Sequence, residues 1–348
     1  MSESSGTGRP VPTDASDVPG GGNAGGASGA AAGYVIETRG LTAYYGRRRV
    51  VDGLNLRVPR GCVYALLGRN GSGKTTTIRM LLGLLDPARG SASVLGHDSR
   101  ALPPPVRARI GYMAEAHAVY RWMRVGECER FQSAFHPRWN ARIFRAVIEH
   151  FRVSPDAKAG DLSRGERAGL SLAMTLAAEP ELLILDDPAI GLDPAARRSL
   201  LESMIYVTRR SDRTILFSSH LLSDVERVAD YIGVLDRSVL RVSCPVDVFR
   251  ERVRGFVLRY PGTPPELPPV RGLLHVRRSL GELRLAVANV DDETRRTVRS
   301  HATQTAAQGV DEVPLSLEEA LLGYLGERGE RHFFLEDTIA LEQARGAA

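Results

Sequence analysis

The chain has 348 residues, of which 43% are apolar and 25% charged, and its formal net charge is +5. These values are typical of a globular protein with room for one large domain and a smaller one. No apolar run approaches the ~20 residues of a transmembrane helix, and the N-terminus lacks the basic and apolar blocks of a secretory signal. The three cysteines form no CxxC pair, which argues against a zinc site or a disulfide framework. The modest charge does not argue for nucleic acid, and we predict no such partner.

The N-terminal region differs in composition from the rest of the chain. Residues 1–33 are mostly Gly, Ala, Ser and Pro, and we expect a disordered tail because they bury too little apolar surface to fold. From Tyr34 onward, turn-separated short strands are predicted over 34–61, a buried strand over 62–68, a helix over 75–85 and a further strand over 92–96.

The middle of the chain alternates between helical and extended patterns. Helical spacing dominates residues 127–178. The next segments read as strand, helix, strand, helix and strand: "LLIL", "PAARRSLLESMIYVTRR", "TILFSS", "LLSDVERVAD" and "YIGVL". Such alternation predicts an α/β fold with a mostly parallel sheet covered by helices.

The sequence pattern changes again beyond about residue 250. "GFVLRY", a proline-rich linker and a hairpin around Gly281 precede two helices, "DDETRRTVRSHATQTAAQ" and "SLEEALLGYLG". We therefore predict a small α+β appendage over 251–348, following a larger domain over 34–250.

A glycine-rich turn carries the first chemical signal. "GRNGSGKTT" fits GxxxxGK[ST] and lies between a buried strand and a helix, where backbone N–H groups and the helix N-terminus can hold phosphates. Lys74 is predicted to reach the β- and γ-phosphates and Thr75 to bind Mg²⁺. Apart from Lys158, every other basic residue is arginine, so a compact ammonium is retained at this position. The nucleotide contacts predicted from this motif are Gly68, Asn70, Gly71, Ser72, Gly73, Lys74, Thr75 and Thr76.

Two adjacent aspartates follow the buried strand "LLIL". Carboxylates at the end of a buried strand cost free energy unless they bind a metal, form hydrogen bonds or take part in chemistry. Asp186 and Asp187 are therefore candidate functional residues. A GTPase reading is disfavoured, because the base-reading Asn-Lys-x-Asp sequence is absent.

Five ordered motifs resemble those of ATP-binding cassette (ABC) proteins, over roughly residues 34–245. "LSRGE" at 162–166 is similar to the LSGGQ signature, and 89 residues separate Lys74 from Ser163. "GLD" at 191–193 resembles the D-loop, "TILFSSH" the H-loop, and Tyr45 stands where the family stacks adenine. The chain looks most like the separate ATPase subunits of ABC-2-type exporters. The resemblance implies a P-loop NTPase cassette with a mostly parallel sheet, an antiparallel β part and a helical signature subdomain at about 115–180.

The resemblance also implies roles for individual residues. Asp186 is expected to hold Mg²⁺, and Glu115, at the position of the Q-loop glutamine, is expected to be a further Mg²⁺ ligand. His220 is expected to contact the γ-phosphate and the attacking water. Ser163 and Gly165 would bind the nucleotide held by an opposite subunit, and Asp193 would lie at the same interface. Structural alternatives stay open: Tyr44 instead of Tyr45 as the stacking ring, helix capping by Ser163, and a solvated loop for Glu115.

Asp187 stands where active cassettes carry glutamate. Its stem is one methylene shorter, which predicts slow ATP turnover rather than none. The implied partners are a separate transmembrane permease, docking on the segment 113–131 with Tyr120 and Trp122, and a second copy or a sister ATPase. The implied location is the cytoplasmic face of the membrane, and export is favoured over import. An alternative is a degenerate ABC regulator that binds ATP and dimerises with little or no hydrolysis.

Overall fold

The computed structural model describes the backbone of residues 33–211 and 213–325, and their side chains except 207–211 and 325. The predicted N-terminal tail, apart from Gly33, and the end of the predicted appendage (326–348) lie outside these ranges. Within them, no helix combines the length and apolarity that crossing a bilayer requires.

The described residues form three sheets and the helices between them. The strands are β1 (Tyr34–Tyr45), β2 (Arg48–Leu54), β3 (Arg57–Pro59), β4 (Val63–Gly68), β5 (Arg89–Val94), β6 (His97–Asp98), β7 (Ile110–Met113), β8 (Leu182–Leu185), β9 (Thr214–Ser219), β10 (Tyr231–Asp236), β11 (Val239–Pro245), β12 (Val253–Arg259), β13 (Leu273–Ser279), β14 (Glu282–Ala288) and β15 (Gly309–Pro314). The helices are α1 (Lys74–Leu81), α2 (Pro104–Arg107), α3 (Val125–Ser133), α4 (Ala141–His150), α5 (Arg164–Ala177), α6 (Pro194–Ser211), α7 (Leu222–Val228), α8 (Val246–Arg252), α9 (Asp292–Gln304) and α10 (Leu317–Leu325).

The central sheet has the order β11-β10-β4-β9-β8-β7. All neighbouring pairs in it are parallel except β10 and β11. Its strand β4 is buried on both faces: Val63, Ala65 and Leu67 join one core, while Tyr64 and Leu66 join the other. Because parallel strands end at the same edge, the residues that follow β4, β8 and β9 are brought together.

Two layers cover this sheet. An antiparallel sheet made of β1, β2, β3, β5 and β6 packs with α1 over one face. The core on the opposite face is lined by α3, α4, α5 and α6. Helices α3 to α5 fall inside the range where the sequence predicts a helical subdomain.

The third sheet has the order β13-β14-β12-β15 and is antiparallel throughout. One face, with Phe256 and Leu285, packs against α9 to form a separate core. On the other face, Ala286 joins the main core together with Leu317 and Leu321 of α10. The α+β character predicted for this region is therefore confirmed.

Some elements were not predicted from the sequence. Strand β7 has only four residues, β11 is a half-exposed edge strand, and β15 is mostly polar and exposed. The helix predicted over 291–308 ends at Gln304, because Ala306 adopts a left-handed conformation (φ 52°) that leads into β15. Short and half-exposed strands carry too little periodicity to be recognised.

Candidate active site

The phosphate loop connects β4 to α1 and depends on glycine. Gly73, the N-cap of α1, has φ 110°, and Gly71 has φ 80°. A Cβ atom at Gly73 would lie 2.4 Å from the carbonyl oxygen of Val50, so a side chain cannot fit there. The tight turn leaves the N-terminal N–H groups of α1 facing the loop, a geometry suited to binding phosphate.

Lys74 is buried, with 7% of its surface exposed. Its Nζ atom donates to the carbonyl oxygen of Gly68 at 2.8 Å. Burial lowers the pKa of Lys74, and the nearby carboxylates of Asp187, Asp186 and Glu115 oppose this effect. The ammonium therefore lies within electrostatic reach of all three predicted acidic residues.

Asp186 and Thr75 come together as predicted for a magnesium site. The Thr75 hydroxyl donates to Asp186 Oδ1 at 3.2 Å, and the carboxylate is almost fully buried. Hydroxyl and carboxylate oxygens are hard ligands of the kind that Mg²⁺ prefers. Glu115 is exposed on the loop after β7, and no hydrogen bond joins it to Thr75 or Asp186 within the described ranges. These residues fit a magnesium ion.

Asp187 is held by two neighbours on β9 and just after it. Its backbone N–H donates to Ser218 Oγ at 2.8 Å, and its Oδ2 lies 2.8 Å from His220 Nδ1. The residue adopts a left-handed backbone (φ 44°). A non-glycine residue in this conformation is strained and persists only where its surroundings hold it. The structure thus places the two predicted catalytic side chains, Asp187 and His220, in direct contact.

The remaining phosphate-loop residues differ in exposure. Ser72 and Thr76 are buried, whereas Asn70 is exposed. The Ser72 hydroxyl has no hydrogen-bond partner among the described residues, as expected for a loop that awaits a polar ligand.

The two candidate stacking tyrosines have different surroundings. The Tyr44 ring lies under the guanidinium of Arg49, 5.6 Å from it. Tyr45 is 49% exposed and pairs across the strands with Arg48. A Cβ at Gly71 would lie 4.0 Å from the Arg48 guanidinium, so this part of β2 reaches the phosphate loop. Tyr45 is the freer of the two rings to stack on a base.

Ser163, Gly165 and Asp193 form a second group. Ser163 caps α5: its Oγ accepts from the N–H of Glu166, whose carboxylate accepts from the N–H of Ser163. A Cβ at Gly165 would lie 3.0 Å from Ala196 and 3.8 Å from Asp193. No hydrogen bond joins this group to Lys74 in the ranges that the structure covers. The capping interpretation of Ser163 is thus confirmed, and capping is compatible with a further role at an interface.

Two buried residues of the site were missed from the sequence. Ser218 connects the aspartates, since its Oγ also donates to Asp186 Oδ1 at 2.7 Å. His117, which is buried, forms a 2.7 Å hydrogen bond between Nε2 and the carbonyl oxygen of Pro188. Ser218 lies at the carboxyl end of a predicted strand, and this position could have indicated a site residue from the sequence. His117 lies in a loop, and its pairing has no signal in the sequence.

Comparison with known proteins agrees with this geometry. A family model described as ABC transporter matches residues 51–190. The chain is 33% identical over 225 residues to the bacitracin transport ATP-binding protein BcrA of Bacillus licheniformis, covering 64% of this chain and 74% of that protein. The chain belongs to the ABC transporter family.

Other relatives and a solved structure extend this assignment. The chain is 37% identical over 207 residues to the daunorubicin/doxorubicin resistance ATP-binding protein DrrA of Streptomyces peucetius, covering 58% of this chain and 62% of that protein. The Nod factor export ATP-binding protein I of Cupriavidus pinatubonensis is likewise 37% identical over 207 residues, with coverages of 58% and 63%. A structure described as the ATP-binding subunit of an ABC transporter aligns with a TM-score of 0.57 and 28% identity, covering 62% of this chain and 92% of that chain. The predicted cassette fold and the resemblance to exporter ATPases are confirmed.

Replacing Ser218 with alanine should destabilise the chain. The change leaves the buried N–H of Asp187 without its acceptor, which costs about 1–3 kcal/mol in the free energy of unfolding measured with urea. Ser99→Ala is the matched control, because the Ser99 hydroxyl is equally buried but has no partner among the described residues. Equal stabilities of the two variants would contradict the bridging role of Ser218.

Proposed function

We propose that this ABC ATP-binding subunit binds and slowly hydrolyses Mg·ATP at a subunit interface and thereby drives export through a separate membrane protein. The observation that carries the proposal is the convergence of Lys74, Thr75, Asp186, Asp187 and His220 at the carboxyl edge of the central sheet. A phosphate cradle, a metal site and a candidate base in one place suit phosphoryl transfer to water.

The phosphate loop holds the nucleotide. Backbone N–H groups between Gly68 and Thr76 donate hydrogen bonds to the α- and β-phosphates, and Tyr45 stacks on the adenine. Lys74 exchanges its bond to the Gly68 carbonyl for the β- and γ-phosphates, which are stronger partners for a buried cation. Thr75, Asp186 and Glu115 would hold magnesium, which would supply positive charge next to the phosphates.

Asp187 and His220 act on the attacking water. The carboxylate of Asp187 accepts or orients a proton of that water, and His220 fixes the carboxylate through Nδ1. Aspartate retracts the carboxylate by roughly 1–1.5 Å relative to glutamate, and a misplacement of that size costs about 10²-fold in rate. The hydrogen bond to His220 also occupies one oxygen of the short carboxylate of Asp187. This supports slow turnover.

A second subunit completes each site. Ser163 is exposed and Gly165 lies beside Asp193, so the start of α5 is available to the γ-phosphate held by a mate. The helix N-terminus adds partial positive charge there. We propose either a homodimer or a pair with a sister ATPase, and in both cases two Mg·ATP lie between the subunits.

An exposed aromatic cluster supports a membrane partner. Tyr120 contacts Trp122 and Phe131, and Phe131 contacts Phe135, with ring centroids 5.0–5.8 Å apart. Trp122 is 72% exposed and Phe135 64%. A contiguous aromatic surface of this kind marks a protein contact. We propose that a transmembrane permease docks here and holds the chain at the cytoplasmic face of the membrane.

The direction of transport is inferred from relatives. The names of two relatives refer to Nod factor export and to resistance to daunorubicin and doxorubicin. These names support export here as well. We also propose that residues 251–348 form an accessory domain beside the cassette at 34–250.

A non-hydrolysing regulator is the second candidate function. The observation in its favour is Asp187 itself, whose short carboxylate is already engaged by His220. Such a protein would use ATP only to dimerise.

Lys74→Ala should abolish magnesium-dependent binding of ATP measured by calorimetry, because the terminal phosphates lose their cation. Lys158→Ala is the matched control, since Lys158 is the other lysine and is exposed. Removal of magnesium with a chelator should weaken binding to the wild type. If Lys74→Ala binds Mg·ATP as tightly as Lys158→Ala, the proposed function is wrong.

Asp187→Glu should raise the ATPase rate of the chain with its membrane partner by about tenfold or more, because the longer stem restores the reach of the carboxylate. Asp187→Asn keeps the length of the stem but removes the base, and it should lower the rate. An unchanged rate in Asp187→Glu would show that stem length does not limit the chemistry. Absence of turnover in all three proteins would favour the regulator.

Trp122→Ser should reduce co-purification with the proposed membrane partner, because it removes the most exposed ring of the aromatic cluster. Leu84→Ser is the control, since Leu84 is 62% exposed and lies outside the cluster. Equal recovery of the membrane protein with both variants would contradict docking at this surface.

A further inference from the structure

A cavity of about 610 Å³ lies between the cassette and the third sheet. Arg69, His220 and Leu222 line it from the cassette, and Glu319 and Leu322 line it from α10. Lys74, Thr75 and Asp186 do not line it, so the cavity adjoins the nucleotide site without containing its phosphate cradle. Its volume is in the range of sites for drug-sized molecules.

The floor of the cavity is one face of the third sheet. His275, Ala286, Gly255 and Val313 are consecutive partners across the four strands. Successive residues of a strand face opposite sides, so this row lies on the face away from α9, together with the row two residues along that holds Arg277, Arg284 and Val257. Leu315 covers Gly255, where a Cβ atom would lie 2.7 Å from the Leu315 side chain.

The lining of the cavity carries positive charge that is only partly paired. Arg277 and Arg284 are direct cross-strand partners, an arrangement that repels unless an anion lies nearby. Arg284 is hydrogen-bonded to Glu282 through Nε. Neither Arg277 nor Arg69 forms an ion pair with a residue of the described ranges.

Glu319, the acidic residue that lines the cavity, already forms hydrogen bonds within α10 and its cap. The Glu319 carboxylate accepts hydrogen bonds from the N–H and the hydroxyl of Ser316, at 3.0 and 2.9 Å, and so caps α10. Arg284 is paired with Glu282 and the Glu319 carboxylate serves the backbone, so among the described residues the guanidinium groups of Arg277 and Arg69 line the cavity without an ion pair. The cavity attracts anions.

The other walls are apolar. Val257, Leu315 and Leu322 line the cavity, and Leu322 is 51% exposed although it is a large apolar side chain. A bound molecule with an apolar body would cover this side chain. Inorganic phosphate offers no such body, whereas an organic anion does.

We propose that this cavity is a second ligand site, which binds a small organic anion composed of a carboxylate or sulfonate on an apolar skeleton. The anionic group pairs with Arg277 and Arg69, and the skeleton lies against Val257, Leu315 and Leu322. The ligand would adjoin His220, so the two sites share one wall.

The binding test uses 8-anilinonaphthalene-1-sulfonate as the probe, together with N-phenyl-1-naphthylamine, which has the same aromatic body and no sulfonate. Fluorescence titration of the full chain should give tighter binding of the sulfonate. Arg277→Gln should weaken binding of the sulfonate by about tenfold and leave the affinity for the uncharged probe unchanged. Arg296→Gln, an exposed arginine of α9 outside the cavity, is the control and should leave both probes unchanged.

A second pair of variants tests the apolar wall of the cavity. Leu322→Glu places a negative charge at the cavity and should weaken binding of the sulfonate by more than about tenfold. Leu280→Glu is the control, because Leu280 is 88% exposed at the β13–β14 turn and does not line the cavity. The aromatic cluster around Trp122 also attracts such dyes, but its contribution is the same in all four variants.

Several results would overturn the proposal. Among them are equal sulfonate affinities for Leu322→Glu and Leu280→Glu, equal affinities for Arg277→Gln and Arg296→Gln, and equal binding of the two probes to the wild type. Full displacement of the sulfonate by Mg·ATP would assign it to the nucleotide site instead. Because both titrations are done without nucleotide, failure of the ATPase proposal leaves this test intact.

Discussion

The burial of one cation determines how the nucleotide site is built. Lys74 is removed from water, which lowers its pKa, and the nearby carboxylates and the carbonyl oxygens of Gly68 and Arg69 compensate the charge. A buried ammonium with such partners is ready to exchange them for phosphate oxygens. The loop also packs against β2, and Gly73 tolerates no Cβ atom because that atom would meet the carbonyl oxygen of Val50. Arginine, used at nearly every other basic position, is too large and planar for the same role.

The carboxylates in turn depend on the order of the central sheet. Asp186 and Asp187 follow β8, while Ser218 and His220 belong to the neighbouring β9 and the residues just after it, so parallel pairing sets them side by side. Ser218 links both aspartates, and His117 secures the following Pro188 carbonyl from the loop after β7. These bonds hold the left-handed backbone of Asp187 in place. A segment that lies near the aromatic cluster is thus connected to the candidate base.

The sequence predicted the parts of the site that a local pattern specifies. The phosphate loop, the strand before Asp186 and the cap at Ser163 each have a short motif whose physical reason is local. Contacts made across the fold could not be predicted in the same way. The His117 pairing with Pro188 joins a loop to a distant segment, and the choice between Tyr44 and Tyr45 depends on where Arg49 lies. Strands β7 and β15 were missed because four-residue or polar strands form only when a neighbour is already in place.

The position of the third sheet follows from apolar packing and not from the nucleotide. Leu317 and Leu321 of α10 belong to the main core, and Ala286 of the sheet joins them there. The opposite face is closed by α9 through Phe256 and Leu285. Among the described residues, the part of the inner face near Arg277 and Arg284 lines the cavity beside His220. Because packing fixes both walls, the cavity between them does not require nucleotide, and its positive charge is a property of the folded chain itself.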